Sequence, residues 1–150
     1  MALFDQIDRD LVTARKERDQ TALDTLGLLK TEVINAGKEP GASGTIDDDL
    51  VLRVISREVK RREEAAQAYS AGGRAESARR EEAQAAVLRT YLPVQLGDQD
   101  LEREVAAVIA EVGAGGPRDL GSVMKVASPR LAGRAGAGRI ATVARRLLAG

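Results

Sequence analysis

Basic and hydroxyl side chains recur at helical spacing near the C-terminal end of the chain. They form two sets, each with two cations seven residues apart and a hydroxyl three or four residues from each cation: Arg118, Ser122 and Lys125, and Arg139, Thr142 and Arg146. A helix would place each set on one face, opposite its apolar residues. Guanidinium and ammonium groups neutralise phosphates, and hydroxyls donate to phosphate oxygens. The spacing therefore predicts a phosphate-binding face, although an ordinary solvated helix face has the same pattern.

The distribution of charge points to the same C-terminal segment as the candidate phosphate-binding site. The 23 Lys and Arg balance 23 Asp and Glu overall, but residues 118–150 hold seven basic residues and one acidic residue, a formal charge of +6. Residues 93–117 hold one basic and five acidic residues. We take all seven C-terminal cations as candidate phosphate contacts: Arg118, Lys125, Arg130, Arg134, Arg139, Arg145 and Arg146.

The residues that serve nucleophilic and metal chemistry are missing. The chain has no histidine and no cysteine, which excludes Ser-His-Asp and Cys-His machinery, disulfides and Cys/His zinc sites. The carboxylate pairs Glu63-Glu64 and Glu81-Glu82 are adjacent, so on a helix their side chains diverge into solvent. No P-loop or dinucleotide-binding glycine motif occurs. The sequence predicts no catalytic residue, cofactor or metal.

Two further segments have ordinary explanations. Gly133 and Gly136 have the G-x-x-G spacing of loops that clamp a nucleic-acid backbone, but so short a motif usually marks a turn. Five cations between residues 53 and 62 are interleaved with Glu58, Glu63 and Glu64, so ion pairs within one helix explain them.

Apolar residues recur with helical period along the whole chain, and strand alternation is absent. The pattern predicts a helix over 3–18, a second capped by Thr21 and ended by Gly37, a third over 46–71 capped by Thr45, and a fourth over 74–92. Three shorter apolar stripes follow, over 101–112, 120–131 and 140–148, and Gly113 is predicted to end the helix of the first. We expect an all-α protein.

The segment from Tyr91 to Leu96 is the predicted domain boundary, because Pro93 cannot continue a helix. Before it, Gly72 and Gly73 separate two helices that we expect to fold back as a long antiparallel hairpin. After it, three short amphipathic helices can close a small core. We predict an N-terminal helical domain over residues 1–92 and a three-helix domain over 93–150.

The longest apolar run, Val105 to Ala110, has six residues. That length is too short for a membrane-spanning helix or a signal segment, and the N-terminus turns polar at Asp5. We therefore expect a soluble, cytoplasmic protein without a membrane partner.

The segment Tyr91-Leu92-Pro93-Val94-Gln95-Leu96, with the acid-rich helix start at Asp98 after it, resembles a segment of the GatB/YqeY family. Similar stretches flank it in the family's order: Ser56-Arg57-Glu58 with Arg62 and Glu63, Ala71-Gly72-Gly73-Arg74 with Glu82, Ala110-Glu111-Val112-Gly113, Asp119-Leu120-Gly121 with Val123-Met124, and Pro129 with Gly133. The resemblance covers nearly the whole chain and points to stand-alone YqeY-like proteins.

The resemblance implies a helical fold whose tail is related to the C-terminal domain of the B subunit of the tRNA-dependent Asp/Glu-tRNA amidotransferase. In that enzyme the tail resembles a tRNA-contacting appendage, which makes tRNA the expected partner of the seven cations and suggests a role in translation. An adaptor for an amidotransferase or an aminoacyl-tRNA synthetase is an alternative.

A third alternative is a component of a carbon–nitrogen ligase that uses glutamine as amide donor, because the family is classed with such enzymes. The resemblance does not extend to their catalytic domains, so we expect no independent ligase activity. One departure concerns Gly136, which stands where relatives often carry an acid at the start of the last helix. The glycine removes a side-chain N-cap there.

Overall fold

The computed structural model describes residues 2–150, and within them it contains seven α-helices, one short 3-10 helix and no strand. The predicted all-α fold class is confirmed. In chain order the elements are α1 Ala2–Glu17, α2 Gln20–Gly37, α3 Asp48–Ala71, α4 Ala75–Arg89, α5 Asp98–Val112, the 3-10 helix Pro117–Asp119, α6 Leu120–Arg130 and α7 Ala137–Ala149. None of the helices in this described part is both long and apolar enough to cross a membrane.

Two aspartates, rather than the predicted threonines, cap α2 and α3. The Asp19 carboxylate accepts a first-turn backbone N–H of α2 at 3.1 Å, and the Asp47 carboxylate accepts one of α3 at 2.8 Å. The predicted caps Thr21 and Thr45 were therefore wrong. An aspartate caps at least as well as a threonine, and its charge also interacts favourably with the positive end of the helix dipole.

The chain divides into two compact units, and the first ends at Leu92. Helices α1 to α4 pack around one aliphatic core, which includes Ile7, Leu26, Leu29, Val33, Val51, Ile55 and Leu88. Between α3 and α4 the chain turns at Gly73, whose φ of +76° favours glycine. The core of this unit lies where the helical periodicity placed the apolar faces.

Tyr91 joins the end of the first unit to α1. Its hydroxyl donates to Asp10 Oδ2 at 2.5 Å, and its partly buried ring packs against the core of this unit. Burial of the phenol, and then the hydrogen bond to the Asp10 carboxylate, raises the pKa of Tyr91. The contact links positions 81 residues apart in sequence.

The second unit begins at Pro93 and has a core of its own, formed by α5, α6 and α7. Buried residues include Leu101, Val105, Val108, Val123, Leu131 and Ile140. Gly113, with a φ of +68°, ends α5 as predicted. Pro129 lies one residue before the end of α6, where it removes an N–H that would continue the helix.

The segment that opens the second unit is hydrogen-bonded to the turn between α6 and α7. Gln95 Nε2 donates to the Gly133 carbonyl at 2.6 Å, and the Leu96 N–H donates to the Arg134 carbonyl at 2.9 Å. These bonds position the start of α5 beside the start of α7.

Candidate nucleic-acid interface

The seven candidate cations lie on every element of the second unit after α5. Arg118 is on the 3-10 helix, Lys125 and Arg130 are on α6, Arg134 is in the turn before α7, and Arg139, Arg145 and Arg146 are on α7. All are exposed except Arg134, which is partly buried. The 3-10 helix packs against both α6 and α7, and these two helices pack against each other. The elements that carry the cations are therefore in contact with one another.

Two arginines of α7 are paired with acids of α5. Arg139 Nη2 lies 2.9 Å from Asp98 Oδ1, and its Nη1 donates to the Leu96 carbonyl at 3.1 Å. Arg146 Nη1 lies 3.4 Å from Glu102 Oε1. The acidic and basic segments that the sequence distinguishes therefore face each other across the α5–α7 contact.

Arg130 of α6 also binds an α5 carboxylate. Its Nη1 and Nη2 donate to the two oxygens of Glu111 at 2.9 and 2.6 Å. This hydrogen bonding lowers the pKa of Glu111 and raises the pKa of Arg130. Both side chains stay accessible, at 39% and 53% exposed, so solvent screens the pair and limits its contribution to stability.

The other four candidates have no carboxylate within ion-pair distance among residues 2–150. They are Arg118, Lys125, Arg134 and Arg145. Their charged groups are therefore available to an external anion without displacing an internal partner.

Two backbone N–H groups of the G-x-x-G segment are already hydrogen-bonded within the chain. The N–H groups of Arg134 and Ala135 both donate to the Leu131 carbonyl, at 2.9 and 3.1 Å, so they close a turn and are not directed at a ligand. Gly136 is the N-cap of α7 and, as expected from its missing side chain, provides no side-chain cap. The segment is a helix-to-helix turn.

A buried ionic cluster in the first unit was not anticipated. Glu58 is only 2% exposed, and its carboxylate lies 3.8 Å from Arg62 and 3.1 Å from Arg61. Arg62 also lies 3.5 Å from Glu81 of α4. The predicted pairing of Glu58 with cations of its own helix is present, but its burial was not predicted. A signal for burial was in the sequence, because Glu58 follows Ile55 by three residues, on the apolar face of α3.

A second ionic contact joins α3 to α4 near the surface. Arg89 donates to Glu63 at 2.9 Å and to Glu82 at 2.7 Å, and this hydrogen bonding raises the pKa of Arg89. The three side chains line an open groove of about 430 Å³. Because both carboxylates accept from a cation, neither is placed as a proton donor. Within residues 2–150, no group of three or more potential metal-ligating side chains lies close enough together to hold a metal ion.

The fold is that of an all-α protein with two helical units, each with a separate core. The family model of Yqey-like proteins matches residues 4–148. The chain therefore belongs to the YqeY-like protein family, which is related to the C-terminal part of GatB. No curated protein matches the chain.

Proposed function

We propose that this protein is a non-catalytic module that binds the backbone of tRNA through the second unit. The observation that carries the proposal is the set of four cations without an internal partner among residues 2–150, Arg118, Lys125, Arg134 and Arg145. The family relationship to GatB supports tRNA as the ligand. In this proposal α3 and α4 act as an antiparallel hairpin and the second unit as a three-helix tail.

The three paired arginines have a secondary role. Arg130, Arg139 and Arg146 are exposed, and exposed ion pairs contribute only about 0–1 kcal/mol. Phosphates can therefore take over these guanidinium groups, but each exchange gives up a carboxylate contact. We rank these three below the four unpartnered cations.

The proposed contact is with phosphates and not with bases. Residues 93–150 contain no Phe, Trp or Tyr, so the second unit has no aromatic side chain on which an unpaired base could stack. Binding would then depend strongly on salt and weakly on RNA sequence.

The test is a salt titration of fluorescently labelled tRNA binding, followed by anisotropy. The tail variant replaces three unpartnered cations, Arg118→Gln/Lys125→Gln/Arg145→Gln. The matched control removes three exposed cations from α1 that have no ion-pair partner within the described chain, Arg9→Gln/Arg15→Gln/Lys16→Gln. At about 0.7 per phosphate contact, the tail variant should reduce the log–log salt slope by about 2. Equal slopes for the tail variant and the α1 control would contradict the proposed site.

Neutral replacements are needed because of the α5 acids. Arg139→Glu or Arg146→Glu would place a second carboxylate beside Asp98 or Glu102, and like charges at contact distance destabilise the helix pair. Loss of binding in such a variant would not separate phosphate contact from unfolding.

A second candidate function is an adaptor for an amidotransferase or an aminoacyl-tRNA synthetase. The observation that favours it is Val94, which is 91% exposed although apolar, beside Gln95, which is anchored to the α6–α7 turn. Under this function Val94→Asp weakens binding to the purified enzyme and leaves tRNA binding unchanged. The tail variant should weaken tRNA binding and leave binding to the purified enzyme unchanged.

A further inference from the structure

The exposed side of α3 carries a row of four cations, Arg53, Arg57, Lys60 and Arg61, which we call the α3 cationic stripe. All four are exposed. Their spacing of four, three and one residues puts them on one face, opposite the buried positions Val51, Ile55 and Glu58.

Ion pairs within the helix do not neutralise this stripe. Glu58 is buried, where it contacts Arg61 and Arg62, and Glu63 binds Arg89 of α4. Three members, Arg53, Arg57 and Lys60, have no carboxylate within ion-pair distance among residues 2–150. The interpretation that intrahelical pairs account for the whole cluster is therefore wrong for these three.

The local charge stays positive when nearby acids are included. Asp49 and Glu64 share the face at its two ends, and buried Glu58 contacts Arg61, so the four cations and these three acids together have a formal charge of +1. Successive members at three or four residues lie about 5–6 Å apart along the helix surface. This arrangement presents several cations in a row, which suits a ligand with repeated negative charges.

The surroundings of the stripe favour a nucleic-acid backbone over an acidic protein. Stable protein interfaces have an apolar centre with a polar rim. The large apolar residues that are well exposed in residues 2–150 are Val12, Leu28 and Val94, and none of them is on α3. The stripe thus offers charge without an apolar anchor.

We propose that the α3 cationic stripe is a second contact surface for the RNA phosphate backbone, located in the first unit. It takes its ligand class from the proposed function but uses different residues. The cations would neutralise successive phosphates without reading bases, because no aromatic residue lies on the stripe.

The test compares the stripe variant, Arg53→Gln/Arg57→Gln/Lys60→Gln, with the α1 control described above in the full chain. The probes are labelled tRNA, polyuridylate and poly-L-glutamate, each titrated with salt. For tRNA the stripe variant should lower the log–log slope by about 2 and the affinity at 100 mM salt by at least about tenfold. The α1 control should bind nearly as the wild type does. The charge-retaining variant Arg53→Lys/Arg57→Lys should keep the wild-type slope.

The outcomes separate this proposal from the proposed function. If the tail variant loses tRNA binding and the stripe variant keeps it, the stripe proposal is overturned and the proposed function stands. If only the stripe variant loses tRNA, the stripe proposal stands and the tail assignment fails. If the stripe variant loses poly-L-glutamate but keeps both RNAs, the surface binds acidic protein and the proposal is overturned. Absence of RNA binding by the wild type overturns both.

Discussion

Glu58 and Arg62 form an ion pair one helical turn apart on the buried side of α3, with the carboxylate 3% and the guanidinium side chain 12% exposed. Arg62 also contacts Glu81 of α4, so one cation lies between two carboxylates. Glu58 Oε2, Arg62 Nε and Glu81 Oε2 make no hydrogen bond within residues 2–150. The cluster therefore depends on the charge of Arg62 more than on complete hydrogen bonding.

Replacing Arg62 should be strongly destabilising. Arg62→Met preserves most of the side-chain volume but leaves Glu58 and Glu81 without their shared cation, and breaking a buried pair costs about 3–5 kcal/mol. We expect a loss of about 3 kcal/mol in the free energy of unfolding, measured by urea denaturation. Arg61→Met is the control: Arg61 is 60% exposed, so its loss should cost less than about 1 kcal/mol. Equal effects of the two replacements would show that burial of the cluster is unimportant.

Tyr91→Phe should reveal how much Tyr91 contributes to the pH dependence of the unfolding free energy at alkaline pH. The folded-state pKa of Tyr91 is raised by burial and by Asp10, whereas an unfolded tyrosine titrates near a pH of about 10. Its contribution to stability is therefore fully present below about pH 10 and is lost as the pH rises toward the folded-state pKa, by up to about 1.4 kcal/mol per pH unit. The difference in unfolding free energy between wild type and Tyr91→Phe should be constant from about pH 7 to 9 and shrink above about pH 10. Tyr69→Phe is the control, because the Tyr69 hydroxyl has no hydrogen-bond partner within residues 2–150 and its removal breaks no such bond.

Glu102→Gln should strengthen tRNA binding under the proposed function. The substitution removes the carboxylate that lies 3.4 Å from Arg146 and so releases one guanidinium to a phosphate. We expect the salt slope to increase by about 0.7 and the affinity at about 100 mM salt to rise by roughly fivefold. Asp100→Asn removes the same charge from α5, but Asp100 pairs with Arg103 of its own helix. An equal gain for Asp100→Asn would mean that net charge, not release of Arg146, controls affinity.

Two glycines of the second unit should respond in opposite directions to alanine. Gly113 has a φ of +68°, which an L side chain rarely adopts, so Gly113→Ala should lower the unfolding free energy by about 1–2 kcal/mol. Gly121 lies in the first turn of α6, with open space where the methyl group of an alanine would lie, so Gly121→Ala should raise it by about 0.5 kcal/mol. Thermal unfolding monitored by circular dichroism measures both. A stabilising Gly113→Ala would show that this glycine is not needed to end α5.

The fold class and most helix positions could be predicted because they depend on local information. The period of the apolar residues places α5 and its end at Gly113, and Gly72-Gly73 marks the turn after α3. The caps were less predictable, because Thr21 and Thr45 stand within two residues of the better-placed Asp19 and Asp47. Both residue types can serve as an N-cap, and sequence alone does not decide which carboxylate or hydroxyl reaches the first-turn amides.

The candidate site was predicted only in part. Sequence identified the seven C-terminal cations and separated them from the acids before them, but the same composition fits free cations and paired ones. The structure pairs Arg139, Arg146 and Arg130 with acids of α5. Within residues 2–150 it leaves Arg53, Arg57 and Lys60 unpaired although glutamates are close in sequence.

The sequence by itself determined an all-α protein with a cationic C-terminal segment, because helical period and charge order are local properties of the chain. Only the tertiary structure decided which cations are free, that Glu58 is buried, and that Tyr91 binds Asp10. The physical reason is distance, since an ion pair or hydrogen bond forms only when the two groups lie within about 4 Å of each other. Packing brings Arg139 to Asp98 across 41 residues of chain, and it directs Glu58 away from the cations of the α3 cationic stripe that precede it.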